Sequence, residues 1–241
     1  MTERTLRRRR GLALIIGIPV LLAFSFWALT YTPVFRARHI RVEGAGALTA
    51  DDVRTLAGVD ASTNVVHLDR EAVVRNLEGN AWVANASVRV QLPNTLVLEV
   101  TQRRAVGVVD ALGERGILAS DGTILPAADG VPDGLPAVRA ALGAPDEDQR
   151  RAAAALLDDL DPVVAKRVVA VSVGQDGLVT LALTSGTMVQ AGEAGDELAK
   201  AQALRAVLRW ASSSGLELTS IDISAPTAPS VTLRDGSTVS P

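Results

Sequence analysis

The chain has 241 residues, 48% of them hydrophobic and 21% charged, with a net charge of -3 and no cysteine. That composition excludes a disordered polymer, a disulfide framework and a thiolate metal site, and the length suits two small packed domains. Residues 1–10 hold Arg4, Arg7, Arg8, Arg9 and Arg10 against Glu3, a local +4 that leaves -7 on the rest of the chain; an acidic body behind a short basic tail is ill suited to nucleic acid, where Lys and Arg contacts to phosphate dominate affinity.

After the basic tail, residues 11–35 contain no charged side chain, enough to cross the roughly 30 Å hydrocarbon layer as a helix, and a transmembrane span is predicted there. Trp27 and Tyr31 fall near its C-terminal end, where amphipathic rings anchor at the interface, and Pro19 introduces at most a kink. The five arginines before the span outweigh Arg36, Arg38 and Arg41 after it, which orients the N-terminus to the cytoplasm. A cleaved signal peptide is the rival; the apolar run exceeds the usual h-region of about 7 to 15 residues and lacks an A-x-A site.

Beyond the span, Ile40 and Val42 alternate with His39, Arg41 and Glu43 as a strand, which Gly44 and Gly46 end. Leu48, Thr49, Asp52, Val53, Leu56 and Gly58 spell a helix with cap, staple and C-terminal stop, and Leu68, Asp69, Val73, Leu77 and Gly79 repeat that grammar. Ala86, Val88, Val90 and Leu92, then Leu96, Leu98 and Val100, form a hairpin across Pro93 and Asn94. The order through residue 104 is strand, helix, helix, strand, strand, a three-stranded sheet with one face under two helices.

From Ala105 the signals are mostly strands: Ala105 to Val109, Gly116 to Ala119 and Thr123 to Leu125. Pro126 to Pro145, rich in Pro, Gly and Ala, reads as a surface connection, and Asp146 caps a helix to about Leu157. Val168 to Val173, Leu178 to Leu183 and Thr187 to Gln190 read as an antiparallel meander. A long helix follows from Asp196 to Trp210, with Ala201, Leu204, Leu208 and Ala211 at helical spacing and Gly215 just beyond. Thr219 to Ile223 and Ser230 to Arg234 close the chain, the last as a strand at a sheet edge. The fold class is thus α+β: an N-terminal transmembrane helix, a β-α-α-β-β domain, and a mainly antiparallel β domain with helices.

Chemistry is sparse. His39 and His67 have no acidic or cysteine partner at metal spacing and read as surface or capping residues. Phosphate-loop, nucleophile-elbow and His-Glu-x-x-His signatures are absent. Thr184, Ser185, Gly186 and Thr187 mimic a Lys-Thr-Gly element without its lysine, and no Ser-x-x-Lys nucleophile exists, so a hairpin turn is the better account. Asp146, Glu147, Asp148, Asp158, Asp159 and Asp161 flank an Ala-rich helix as solvated charge, and Trp82 and Trp210 read as packing residues. No catalytic, cofactor-binding or metal residue is assigned, and no cofactor is expected.

Arg38-His-Ile-Arg-Val-Glu-Gly44, Gly58-Val, Asn64-Val-Val-His-Leu-Asp69, Trp82-Val-Ala-Asn-Ala-Ser-Val88 and Leu92-Pro-Asn-Thr-Leu96 resemble the POTRA domain of the FtsQ/DivIB cell-division proteins. Thr123-Ile-Leu, Leu198-Ala-Lys, Leu204-Arg-Ala-Val-Leu208 and Ile221-Asp-Ile-Ser-Ala-Pro226 resemble the β domain of that family. The resemblance implies a division into a cytoplasmic tail (1–10), a transmembrane helix (11–35), a POTRA domain (36–104) and a β domain (105–241). It also implies a non-catalytic divisome scaffold at the septum, which binds FtsB/DivIC-like and FtsL-like proteins and so helps regulate septal cell-wall synthesis. Strand addition at an open last edge fits both family and pattern, with Ser230, Val231, Thr232, Leu233 and Arg234 as the partner-binding residues and Arg234 available to an acidic partner. The chain departs from familiar members in having no aromatic residue after Trp210. The competing classes are a POTRA-bearing component of protein export or envelope assembly, which a missing barrel disfavours, and an envelope hydrolase, for which no nucleophile is found.

Overall fold

The structure, a computed structural model, describes residues 18–22, 24, 25, 27–44, 46, 48–111, 114–127 and 130–240. The predicted tail and residues 11–17, 23 and 26 of the predicted span lie outside them. Residues 18–22, 24, 25 and 27–29 are helical, and among the described residues no helix is long and apolar enough to cross a membrane. The chain divides into two units between Gln102 and Arg103.

In the first unit, β1 (His39–Glu43), α1 (Ala50–Ala57), α2 (Arg70–Glu78), β2 (Val83–Gln91) and β3 (Thr95–Gln102) follow the predicted order. The sheet runs β1-β3-β2, with β1 parallel and β2 antiparallel to β3. Each helix begins where a side chain satisfies free backbone donors. Thr49 Oγ1 accepts from Asp52 N at 3.2 Å while Asp52 Oδ2 accepts from Thr49 N at 2.9 Å, a reciprocal capping box. The Thr49 hydroxyl and amide bonds hold the Asp52 carboxyl below its usual range. Asp69 Oδ1 accepts from Ala72 N at 3.0 Å to start α2. Both helices then lay Val53, Ala57, Val73 and Leu77 on Leu96, Leu98 and Val100 of β3. Gly44 ends β1 because a Cβ there would stand 2.1 Å from the Val100 carbonyl oxygen.

The segment before β1 is stitched to the loop between the helices. Ala37 N donates to Thr63 O at 2.8 Å and Val65 N to Phe35 O at 2.9 Å, while Asn64 Nδ2 donates to Thr30 O at 2.7 Å. His67 Nε2 lies 2.8 Å from Thr30 Oγ1, and its ring stacks on Tyr31 with centroids 4.1 Å apart. Read from sequence as a surface or capping residue, His67 thus belongs to this joint, a role set by contacts 36 and more residues apart that periodicity does not encode.

The second unit comprises β4 (Ala105–Ala111), β5 (Glu114–Ala119), β6 (Ile124–Leu125), β7 (Ala137–Ala140), α3 (Glu147–Asp159), α4 (Pro162–Ala165), β8 (Val168–Val173), β9 (Val179–Leu183), β10 (Met188–Gly192), α5 (Glu197–Ser214), β11 (Leu218–Asp222), β12 (Ser230–Leu233) and β13 (Thr238–Val239). All ten strands form one sheet in the order β13-β12-β11-β10-β9-β8-β7-β4-β5-β6. The predicted meander β8-β9-β10 is present with antiparallel pairing. α3 starts at an Asp146–Gln149 capping box, and α5 stops at Gly215. Leu156, Leu157 and Leu204 pack with Val171, Leu181 and Ile221 in one core. Buried at the start of α5, Lys200 directs its ammonium to the Glu193 carbonyl oxygen, which offsets the cost of removing that charge from water.

Three elements depart from the sequence reading. The stretch read as a surface connection contains β7, which pairs parallel with β4 and with β8. Asp161, Pro162 and the residues after them form the one-turn helix α4, capped where Asp161 Oδ1 accepts from Val163 N at 2.9 Å. A further strand, β13, lies beyond β12.

Burial pushes the Asp121 carboxyl up, but hydrogen bonds from Arg103 Nε at 2.6 Å and Thr123 N at 2.9 Å outweigh it and hold the group below its ordinary value. A carboxyl held low in the folded state contributes stability above its unfolded pKa and loses it as pH falls through the folded value. Thermal melts of wild type and Asp121→Asn should therefore differ at neutral pH, with the wild type higher, and converge as the pH is taken below the ordinary 3.8. In the first unit, Leu98 is fully buried, and Leu98→Ala should lower its unfolding free energy by about 2–5 kcal/mol in denaturant titration.

Candidate functional site

The last hairpin closes one end of the ten-stranded sheet. β12 pairs antiparallel with β11 through Ser220↔Thr232, Ile221↔Val231 and Asp222↔Ser230. Its alternation follows the two-residue period of a strand: Val231 is buried and Leu233 packs on the core, while Ser230 and Thr232 occupy the other face, half-buried. These five predicted residues, Ser230 to Arg234, are thus contiguous on one strand and the turn that leaves it.

The expected open edge at Ser230 to Arg234 is corrected by β13. Val231 pairs with Val239 and Thr232 with Thr238, so the outer edge belongs to Thr238 and Val239, both exposed. Asp235-Gly236 was the available signal for this turn, an Asp-Gly pair between strand residues. Gly236 has φ +85° and its N–H donates to Leu233 O at 3.0 Å, while Leu233 N donates to Ser237 O at 2.8 Å. The Ser237 hydroxyl and amide, both bonded to Asp235 Oδ1, hold that carboxyl below its usual range. Arg234 is engaged within the chain: its guanidinium pairs with Glu217, and its backbone N–H reaches Glu217 O at 3.1 Å.

The other residues weighed for chemistry are dispersed. Thr184 to Thr187 turn β9 into β10, with Gly186 N donating to Leu183 O at 2.9 Å and Thr187 Oγ1 donating to Leu218 O at 2.9 Å. Asp146 is a helix cap, Asp158 pairs with Arg104, and Asp161 pairs with Arg205 at 2.9 Å, so these carboxylates are tied to separate partners. Trp210 packs on the core. Among the described residues no group of three His, Asp or Glu side chains is gathered that would hold a metal ion.

Residues 35–103 match the model of the POTRA domain, FtsQ-type, and residues 106–224 match that of the cell division protein FtsQ/DivIB, C-terminal. A cell division protein FtsQ of Streptomyces bingchenggensis is 28% identical over 237 residues, covering 94% of this chain and 88% of its own. That of Streptomyces collinus is 30% identical over 236 residues, covering 92% and 88% respectively. A solved structure, the major extracytoplasmic domain of the trans isomer of the cell division protein DivIB from Geobacillus stearothermophilus, is 19% identical with a TM-score of 0.34, over 46% of this chain and 97% of that one.

A side chain at the left-handed Gly236 position costs about 1–2 kcal/mol. Gly236→Ala should therefore open the hairpin locally: amide exchange at Leu233 should accelerate by about tenfold, while exchange at Leu181 in β9 stays unchanged.

Proposed function

The chain belongs to the FtsQ/DivIB family of cell-division proteins, and from that premise we propose that it is a non-catalytic scaffold of the divisome. It sits in the cell membrane by one N-terminal span, N-terminus in the cytoplasm and bulk outside, and gathers at the septum. There it binds FtsB/DivIC-like and FtsL-like proteins and through them helps regulate septal cell-wall synthesis. The anchor draws support from the uncharged run at 11–35, the five arginines before it, and the exposed Ile18, Leu21, Leu22, Phe24 and Leu29, an apolar surface suited to lipid.

The observation that carries the binding mode is the shape of the terminal hairpin. β13 is only two residues long and exposed, so a partner strand can lengthen it or take its place beside Ser230 to Leu233, gaining main-chain hydrogen bonds. Specificity then rests on the alternate side chains, with Val231 and Leu233 fixed inward and Thr232 and Thr238 on the opposite face. Arg234 reaches an acidic partner residue only by exchanging Glu217, which makes that ion pair a competitor of binding.

A fluorescent fusion of the full chain should concentrate at division septa, and diffuse envelope signal would count against the scaffold role. For the binding mode, full chain in detergent is titrated with FtsB/DivIC-like and FtsL-like ectodomains, comparing Thr238→Pro and Val239→Pro. One proline removes a donor facing β12 and the other a donor facing outward, because successive N–H groups alternate along a strand. At least one should weaken binding about tenfold or more with an unchanged melting temperature. Wild-type affinity in both moves the partner elsewhere.

A further inference from the structure

α5 buries Ala201, Leu204, Val207 and Ala211 against the sheet. The next stripe around the same helix, Arg205, Leu208, Arg209 and Ser212, is left beside α4, which is a single turn long and too short to cover it. The result is a cleft of about 350 Å³ between α4 and α5, floored by Val163, Val164 and Leu208. Val163 is 64% exposed, and Leu208, placed in the core stripe by its helical spacing, is only half-buried. Past Leu208 and Ser212 the cleft continues into a second depression of about 550 Å³ that reaches Leu216, Thr219 and Arg234. From Arg205 to Ser214, where α5 ends, the helix rises on the order of 14 Å at 1.5 Å per residue, the length of about two and a half helical turns.

Charge along this groove is unbalanced. Arg205 is neutralised by Asp161 at 2.9 Å, and Arg234 by Glu217. Arg167 and Arg209 line the same cleft, both exposed, and among the described residues neither has a carboxylate within 4.0 Å. An apolar floor of helical length bordered by two uncompensated guanidiniums is complementary to one kind of occupant.

We propose that the α4–α5 groove docks an amphipathic helix of a partner protein, its apolar stripe on Val163 and Leu208 and its flanking Asp or Glu residues on Arg167 and Arg209. Helix-in-groove recognition reads anchors at i, i+3, i+4 and i+7, the periodicity that α5 itself presents here. An anionic lipid surface is the poorer match, because Asp161 and Glu217 also line the groove and only two of its arginines are free of carboxylates. This surface meets the terminal hairpin at Arg234 and Glu217 but does not use the β13 edge, so helix docking does not require strand addition.

The test uses the full chain in phosphatidylcholine nanodiscs and a fluorescein-labelled, stapled helical peptide with a leucine stripe flanked by glutamates, read by anisotropy. Saturable binding is expected, weakened about tenfold or more by Arg167→Glu or Arg209→Glu. The charge-swapped peptide, with lysines for the glutamates, should fail on wild type and bind Arg209→Glu, a rescue that a merely misfolded variant cannot give. Absence of saturable binding to wild type, equal binding to wild type and both arginine variants, or failure of the swap to rescue would each overturn the proposal. So would arginine-dependent capture by phosphatidylglycerol vesicles without peptide binding, which would make the groove a lipid site.

Discussion

The ten-stranded sheet is continuous because one four-residue strand, Ala137–Ala140, pairs with a neighbour on each side. Ala137 and Val138 meet Val108 and Val109 of β4, and Ala137 to Ala140 meet Ala170 to Val173 of β8, both in parallel. Without this strand the β4-β5-β6 group and the six strands from β8 to β13 by way of the meander would be separate sheets. Val138, fully buried in the shared core with Leu118, Leu157 and Val171, is the side chain through which that junction excludes water. α3 then crosses from β7 to β8, as a parallel connection requires.

Everything proposed for partner binding lies downstream of that junction. The meander β8-β9-β10 carries the sheet outward, and the crossover helix α5 returns the chain so that β11 joins β10 in parallel. α5 thereby acquires two roles from one sequence. Its Ala201, Leu204, Val207 and Ala211 side closes the core, and its Arg205, Leu208 and Arg209 side borders the groove. The same crossover delivers β11 to the end of the sheet, where the β12–β13 hairpin folds against it. A sheet edge made of so short a strand is a weak barrier to strand addition.

Local grammar was legible where it was written in neighbouring residues. The Thr49 and Asp146 caps and the alternation of Leu96, Leu98 and Val100 fixed helices and strands because caps and two-residue periods act within a few positions. β7 was not legible: Ala137, Val138, Arg139 and Ala140 offer one β-branched residue between prolines, and its strand character comes from neighbours on both sides. β13 was half-legible through Asp235-Gly236, but two exposed residues carry too little pattern to be read as a strand. His67 is exposed, in line with its surface reading, but its contacts with Tyr31 and Thr30 were not legible because both lie far from it in sequence.

The sequence by itself determined the uncharged run at 11–35, the β-α-α-β-β order and the helices with their caps, because each rests on short-range periodicity, capping chemistry or composition, while the family was legible through the resemblance of motifs such as Arg38–Gly44 and Ile221–Pro226. Only the tertiary structure decided that Ser230 to Leu233 is covered by β13, that Arg234 is held by Glu217, and that Leu208, packed against the core, also borders a groove. Those outcomes depend on which strands and helices become neighbours across tens of residues, and burial and pairing of that kind are properties of the packed chain, not of any window within it.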